Sequence, residues 1–144
     1  MVEVRMSELT DFRRAKDNYF KTGPGSPLTL EQQQAFTGLS YFPENPALRF
    51  DLPLEPYAHP EKVTMQTSTG STQDYYKVGQ IHFQTYGAGR YLEPEEIHAG
   101  ELRVDLNLSY NPYCAYNDRW SCPFPPPENR VKVRIEAGEK SFHS

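Results

Sequence analysis

Aliphatic side chains, cysteine and tryptophan are all scarce in this chain. Of 144 residues only 29 are Leu, Ile, Val or Phe, two are Cys and one is Trp. An aliphatic share this low borders on the composition of disordered chains, but disorder also calls for a high net charge. Here the formal net charge is −4, so a folded chain is expected. No apolar run approaches the roughly 18 residues of a membrane helix. The opening MVEVRMSELTDFRRAKDNYF is too charged to hold the apolar core of a secretory signal. The expectation is a cytoplasmic chain with no membrane partner, whose cysteines are thiols. A basic stripe is missing as well. Residues 22–127 carry six basic against twelve acidic groups, which leaves nothing to follow a phosphate backbone or an anionic lipid surface and excludes nucleic acid as a partner. There is no internal repeat.

Rings and prolines are plentiful instead. Ten Tyr, eight Phe and one Trp make 13% of the chain, and each ring can bury on the order of 150–250 Å² in place of missing aliphatics. Thirteen prolines argue against a mostly helical chain and for turns and strand edges.

The periodicity divides the chain in two. Residues 8–21 read as an amphipathic helix with Leu9, Phe12, Ala15, Tyr19 and Phe20 on its apolar face, Ser7 as N-cap and Gly23-Pro24-Gly25 as stop. Thr29 with Gln32 spells a capping box for a second helix through Phe36, with Gly38 as its C′ residue. Past Pro46 the period becomes two. Leu48, Phe50, Leu52 and Leu54 form one alternating run, and Val63, Met65 and Thr67 a second, which ends in a Ser68–Ser71 turn. Tyr75, Lys77, Gly79, Ile81 and Phe83 oppose Tyr76, Val78 and His82 in a strand expected to be covered on both faces. Glu93, Glu95 and Glu96 read as a solvated turn. Leu102, Val104, Leu106 and Leu108 form the most regular run, and Val131, Val133 and Ile135 the last. Residues 109–129, with five prolines, three tyrosines and both cysteines, can only be a long structured loop. Two helices followed by strands without intervening helices exclude a doubly wound fold. The expected class is mainly β (α+β): an antiparallel β-sandwich or small β-barrel with two N-terminal helices packed on it. It would be one domain over 1–144, helical in 1–40 and β in 47–144.

Tyr86-Gly87-Ala88-Gly89-Arg90-Tyr91-Leu92, the run from Asp105 through Asn117, Cys122-Pro123, Pro125-Pro126, Glu128-Asn129-Arg130 and Ile135 through Lys140 together resemble the signature of a bacterial and archaeal family, domain of unknown function 1684. Ser26-Pro27-Leu28, Phe36 with Gly38-Leu39-Tyr41-Phe42-Pro43, and Thr67 through Gly70 extend the likeness. The resemblance implies no activity, because none is attached to the family. Longer members place extra strands between the counterparts of Phe83 and Tyr86, which Gln84-Thr85 joins directly here. This chain is then expected to carry a reduced form of any site those strands help to build.

The candidate chemistry lies in the same segment. Arg90 follows a Gly-x-Gly bend, where backbone can approach a ligand closely. Its guanidinium suits either a structural pair with Asp105 or a ligand's anionic group. Asp105 and Asn107 sit on the polar side of an apolar strand. Asn107, Asn111, Asn117 and Asn129 are four of six asparagines; they suit loop hydrogen bonds first and ligand contacts second. Cys114 and Cys122 lack the spacing of a zinc site and are weak metal candidates that would need His82 and His98. A disulfide between them, or two small buried hydrophobes, are the alternatives. A nucleophilic Cys114 would need a base that no nearby histidine supplies.

Three functions remain. The first is a small-ligand-binding or accessory domain, for a small anionic or polar ligand, lined by Tyr86, Arg90, Tyr91, Asp105, Asn107, Tyr110 and Asn111, with the 109–129 loop as wall and no cofactor. The second is a hydrolase working through Asp105, Glu128 or Cys114 with Arg90. The third is a structural, homo-oligomeric domain.

Overall fold

The computed structural model describes residues 2–80, 90–124, 127–129 and 135–142. Two helices lead the chain: α1 (Val2–Thr22) and α2 (Leu30–Ala35). The strands β1 (Arg49–Pro53), β2 (Glu55–Gln66), β3 (Thr72–Gln80), β4 (Glu95–His98) and β5 (Glu101–Asp105) follow. They pair antiparallel in two sheets, one ordered β1-β5-β4 and the other β2-β3. The protein is an α+β fold. Among the described residues the sheets do not close on each other as a barrel.

Helix α1 begins before Ser7, which therefore lies inside it and does not cap it. Its docked face is also not the one the apolar residues suggest. Leu9 and Phe20 are buried, with Arg13 and Lys16 half-buried between them, a stripe at helical spacing. Phe12 and Tyr19 remain 52% and 44% exposed. Charged side chains thus do the docking. The Arg13 guanidinium donates to the Phe42 carbonyl (3.1 Å) and lies over the Tyr41 ring. Asp17 accepts from the Leu39 amide (3.1 Å) and the Tyr41 hydroxyl (3.0 Å). Lys21 donates to the carbonyls of Gln33 and Phe36. Helix α2 carries the expected capping box: the Gln32 amide donates to Thr29 Oγ1, and the Thr29 amide donates to Gln32 Oε1. It is too short to persist without tertiary support, and the Gln32 side chain supplies some by donating to the Tyr116 carbonyl at 2.7 Å.

Two apolar clusters form the core. Phe20, Leu28, Phe36 and Tyr116 meet with Leu39 and Phe142 beneath the helices, the Tyr116 ring standing edge-on to Phe20 and Phe142 at about 5 Å. Val104, Leu106 and Ala137 meet with Leu48, Phe50, Leu52, Leu92 and Ile135 against the three-stranded sheet.

Several strand expectations change. Strand β5 stops at Asp105, because the Asp105 carboxylate accepts from the Asn107 amide (3.0 Å) and turns the chain into a 3-10 turn over Leu106–Leu108. Glu95–His98 is a strand, not a turn; Gly100, at φ 79°, makes the tight reversal that pairs it with β5. The described part of β3 is not covered on both faces, since Tyr76 and Val78 are 64% and 60% exposed. Val131, Val133, His82 and the Ile81–Phe83 end of the third run lie outside the described residues.

The clusters are joined at Glu139, 3% exposed. Its carboxylate accepts from the Asn111 amide (2.6 Å) and the Tyr116 hydroxyl (3.0 and 3.1 Å), and pairs with the Lys16 ammonium at 3.0 Å. Gly138 before it, at φ 73°, leaves no room for a Cβ against Ser109. Replacing a buried, paired carboxylate strands its cation, so Glu139→Gln should lower unfolding free energy by about 3 kcal/mol in urea titrations followed at Trp120. Burial, assisted by Glu139, raises Tyr116 far above the usual phenol range, and burial with Asp17 does the same for Tyr41. Above pH 10 the unfolded chain therefore loses phenolic protons that the native one keeps. Stability is full below that pH and should fall with each further unit, as alkaline denaturation curves would register.

Candidate functional site

Residues 109–124 contain no strand and only a short 3-10 turn at Tyr113–Ala115, yet their backbone is tied on both sides. Tyr110 pairs with Tyr91, each amide donating to the other's carbonyl at 2.9 and 2.7 Å. Further on, the Phe124 amide donates to the Gln66 carbonyl and the Ser68 amide to the Cys122 carbonyl, so Pro123 lies beside Thr67 at the β2-β3 turn. The Trp120 indole and the Asn117 amide both donate to the carbonyl of buried Pro27, at 2.9 and 2.7 Å.

Held this way, the segment walls a cleft of about 360 Å³, within the ordinary range of small-molecule sites. Strand β3 supplies Gln73 and Tyr75; the flanks of the β4-β5 hairpin supply Tyr91 and Tyr110; the loop supplies Pro112, Tyr113 and the run Trp120 through Pro123. Five aromatic rings therefore face one space, and none of its described lining residues is charged. The rings stand across one another, Tyr91 to Tyr110 at 82° and Tyr113 to Trp120 at 62°. Burial pushes Tyr91 up to about 12 and, with a hydrogen bond to Glu93, also raises Tyr110. Both phenols stay protonated at neutral pH.

Of the seven residues proposed from sequence, Tyr91 and Tyr110 line this cleft. Tyr86 lies outside the described residues. The other four serve the framework. Arg90 pairs with neither Asp105 nor an open space: Nη1 donates to the carbonyls of Ala137 and Glu139 (2.9 Å to the latter), and Nη2 to Ile135 at 3.0 Å. Asp105 caps its turn and accepts from the Asn107 amide side chain at 2.8 Å. Asn107 exchanges hydrogen bonds with the Asn45 backbone at 2.8 and 3.0 Å. Asn111 donates its backbone amide to Glu139 and its side chain to the Lys140 carbonyl. Tyr113 and Trp120 suit loop packing first and a ring-lined pocket second on sequence alone, whereas Gln73 and Tyr75 carry no sequence sign of a ligand contact of their own. A signal existed in the crowding of tyrosines between residues 75 and 116, but not the register that brings β3 against the loop.

Among the described side chains, the residues named for hydrolysis are not assembled into a catalytic group. Arg90 and Asp105 are engaged elsewhere, and nothing is described of the Glu128 side chain. Cys114 and Cys122 are unbridged, the Cys114 amide donating to the Cys122 sulfur at 3.2 Å. Among the described residues, no three His, Cys, Asp or Glu side chains gather as a metal site would require. Burial, and then a hydrogen bond with Cys122, push the Cys114 thiol up to about 11.

An α+β protein with two antiparallel sheets and a ring-walled cleft is thus the class that fold and site define. The chain belongs to the family described as "Protein of unknown function (DUF1684)", matching it over residues 34–85 and 84–140. The two matched segments overlap at Gln84-Thr85. Nothing among curated proteins matches the chain. It is similar to an uncharacterised protein of Haloarcula marismortui solved by solution NMR, at 26% identity and a TM-score of 0.61. The likeness covers 99% of this chain and 98% of that one. Among the described residues no helix is long and apolar enough to cross a membrane.

A thiol with so high a pKa reacts slowly at neutral pH. Iodoacetamide labelling of native protein, read by mass spectrometry, should find Cys114 almost unmodified at pH 7.5. Labelling should speed up about tenfold per pH unit toward 11.

Proposed function

We propose that this chain is a small-ligand-binding domain whose ligand occupies the cleft between Tyr75, Tyr91, Tyr110, Tyr113 and Trp120. The observation that carries the reading is the convergence of five rings on one space of about 360 Å³. Ligand sites are concave, mostly apolar and sparsely furnished with polar groups, and Gln73 and Ser121 are the polar lining side chains apart from the phenols. The walls are also pre-set: Trp120 is held through its indole N–H, and Tyr110 through its backbone bridge to Tyr91. A rigid wall reduces the ordering cost of binding. In this reading the two sheets are layers of an open sandwich, with the cleft between β3 and the flanks of the β4-β5 hairpin. The ligand is polar and ring-compatible, and it contacts Tyr91 and Tyr110 but not Arg90.

The single tryptophan lies in the cleft wall and makes the test direct. Titration of the native protein with a panel of small aromatic, saccharide and alkylammonium fragments should change Trp120 emission saturably for at least one class. Tyr113→Ala, which removes a ring that is already 39% exposed, should weaken that binding by about tenfold, the effect of losing one ring contact of about 1.4 kcal/mol. If no fragment perturbs the emission of the folded protein, the reading is wrong.

A further inference from the structure

We propose that the cleft is an aromatic cage for a methylated or quaternary organic ammonium group. The proposal rests on the reading of the cleft as a ligand site and adds the chemistry of the ligand.

Three features point to a cation. The first is the arrangement of rings. Tyr91 and Tyr110 stand nearly perpendicular with centroids 6.0 Å apart, and Tyr113 and Trp120 are inclined at 62° with centroids 5.1 Å apart. Tyr75 adds a fifth ring from β3. Walls set across one another offer a compact cation several electron-rich surfaces at once, whereas a flat ligand would be served by parallel ones. A cation within about 6 Å of such a ring is attracted to its quadrupole, most strongly where water is excluded.

The second feature is the direction of the hydroxyl protons. Tyr75 donates to Gln73 Oε1 (2.6 Å), Tyr91 to the Pro123 carbonyl (3.3 Å) and Tyr110 to Glu93 Oε1 (3.1 Å). Each of these phenols has one proton, and it is already engaged. No proton of theirs is left to offer an anion, which leaves the ring faces as the binding surface.

The third feature is charge. No lysine or arginine is among the described lining residues, and Glu93 stands behind Tyr110. Two cations do approach cage rings, Lys16 at 4.9 Å from the Tyr110 centroid and Arg119 at 5.0 Å from that of Trp120. Neither lines the cleft. Lys16 is neutralised by Glu139 at 3.0 Å, and Arg119 lines a separate depression beside the end of α1. Both show that these rings already bind positive charge within the protein.

The test compares two molecules of one shape. Choline carries a trimethylammonium head, and 3,3-dimethyl-1-butanol is its uncharged carbon counterpart. Titrated into the full chain and followed by Trp120 emission and by saturation-transfer NMR, choline should bind about tenfold or more tighter than the alcohol, because only the charged head gains a cation–π contact. Tyr75→Leu, at a residue 39% exposed, should weaken choline about tenfold while Tyr75→Phe leaves it nearly unchanged, because the ring face and not the hydroxyl makes the contact. Equal binding of the two molecules would overturn the cage and leave the cleft as an apolar ligand site. Binding of other fragments with no response to choline would overturn it in the same way. No binding by any fragment would defeat the ligand reading and the cage together.

Discussion

The Glu139 carboxylate is the contact on which the rest of the structure depends. A buried charge is tolerated only when it is paired and its lone pairs are filled. Here the Asn111 amide, the Tyr116 hydroxyl and the Lys16 ammonium together do that filling. The donors come from two distant parts of the chain: Lys16 from α1, Asn111 and Tyr116 from the loop after β5. Glu139 itself bridges to Tyr41. One oxygen pair therefore sets the position of helix, loop and C-terminal segment relative to one another. Arg90 acts on the same segment from its other side, holding three carbonyls between residues 135 and 139. That demand on its donors explains why a guanidinium, with five N–H groups in a fixed fork, stands there.

The cleft follows from this arrangement. Because Asn111 and Tyr116 are fixed to Glu139, the stretch between them, with Pro112 and Tyr113, has little freedom. Tyr113 then meets Trp120 at 5.1 Å, and Trp120 is fixed to the Pro27 carbonyl beneath the helices. The core cluster under α1 and the wall of the cleft thus share the Tyr113–Tyr116 stretch. Rings do both jobs in a chain poor in aliphatics, filling the core with their bodies and leaving polar tips at its edge.

Much of this was legible in the sequence, and the misses have physical causes. The Thr29–Gln32 capping box, the antiparallel strands and the helices-first order were readable because each depends on local spacing. The family likeness was readable from Tyr86 through Lys140. The docked face of α1 was not, because Arg13 and Lys16 look like solvent-facing residues until Phe42 and Glu139 are brought to them. Strand β5 was read three residues too long because Leu106 and Leu108 keep the alternation while Asp105 caps a turn, a competition that periodicity does not register. Arg90 and Asp105 invited pairing as opposite charges in one signature; carbonyl groups, invisible in a sequence, took the arginine instead. The cleft was half legible. Tyr91 and Tyr110 sit in the signature segment, but Tyr75 joins them only through long-range register.

The Lys16–Glu139 pair also orders events in time. Helix α1 carries two half-buried cations whose partners lie at very different distances along the chain. Arg13 reaches the Phe42 carbonyl nearby, but the counter-charge of Lys16, Glu139, stands almost at the last described residues. Docking of α1 against residues 28–42 therefore needs only short loops, whereas completing its Lys16 contact requires the chain to close one of its longest. Closure of that kind gives a fold slow formation for its size.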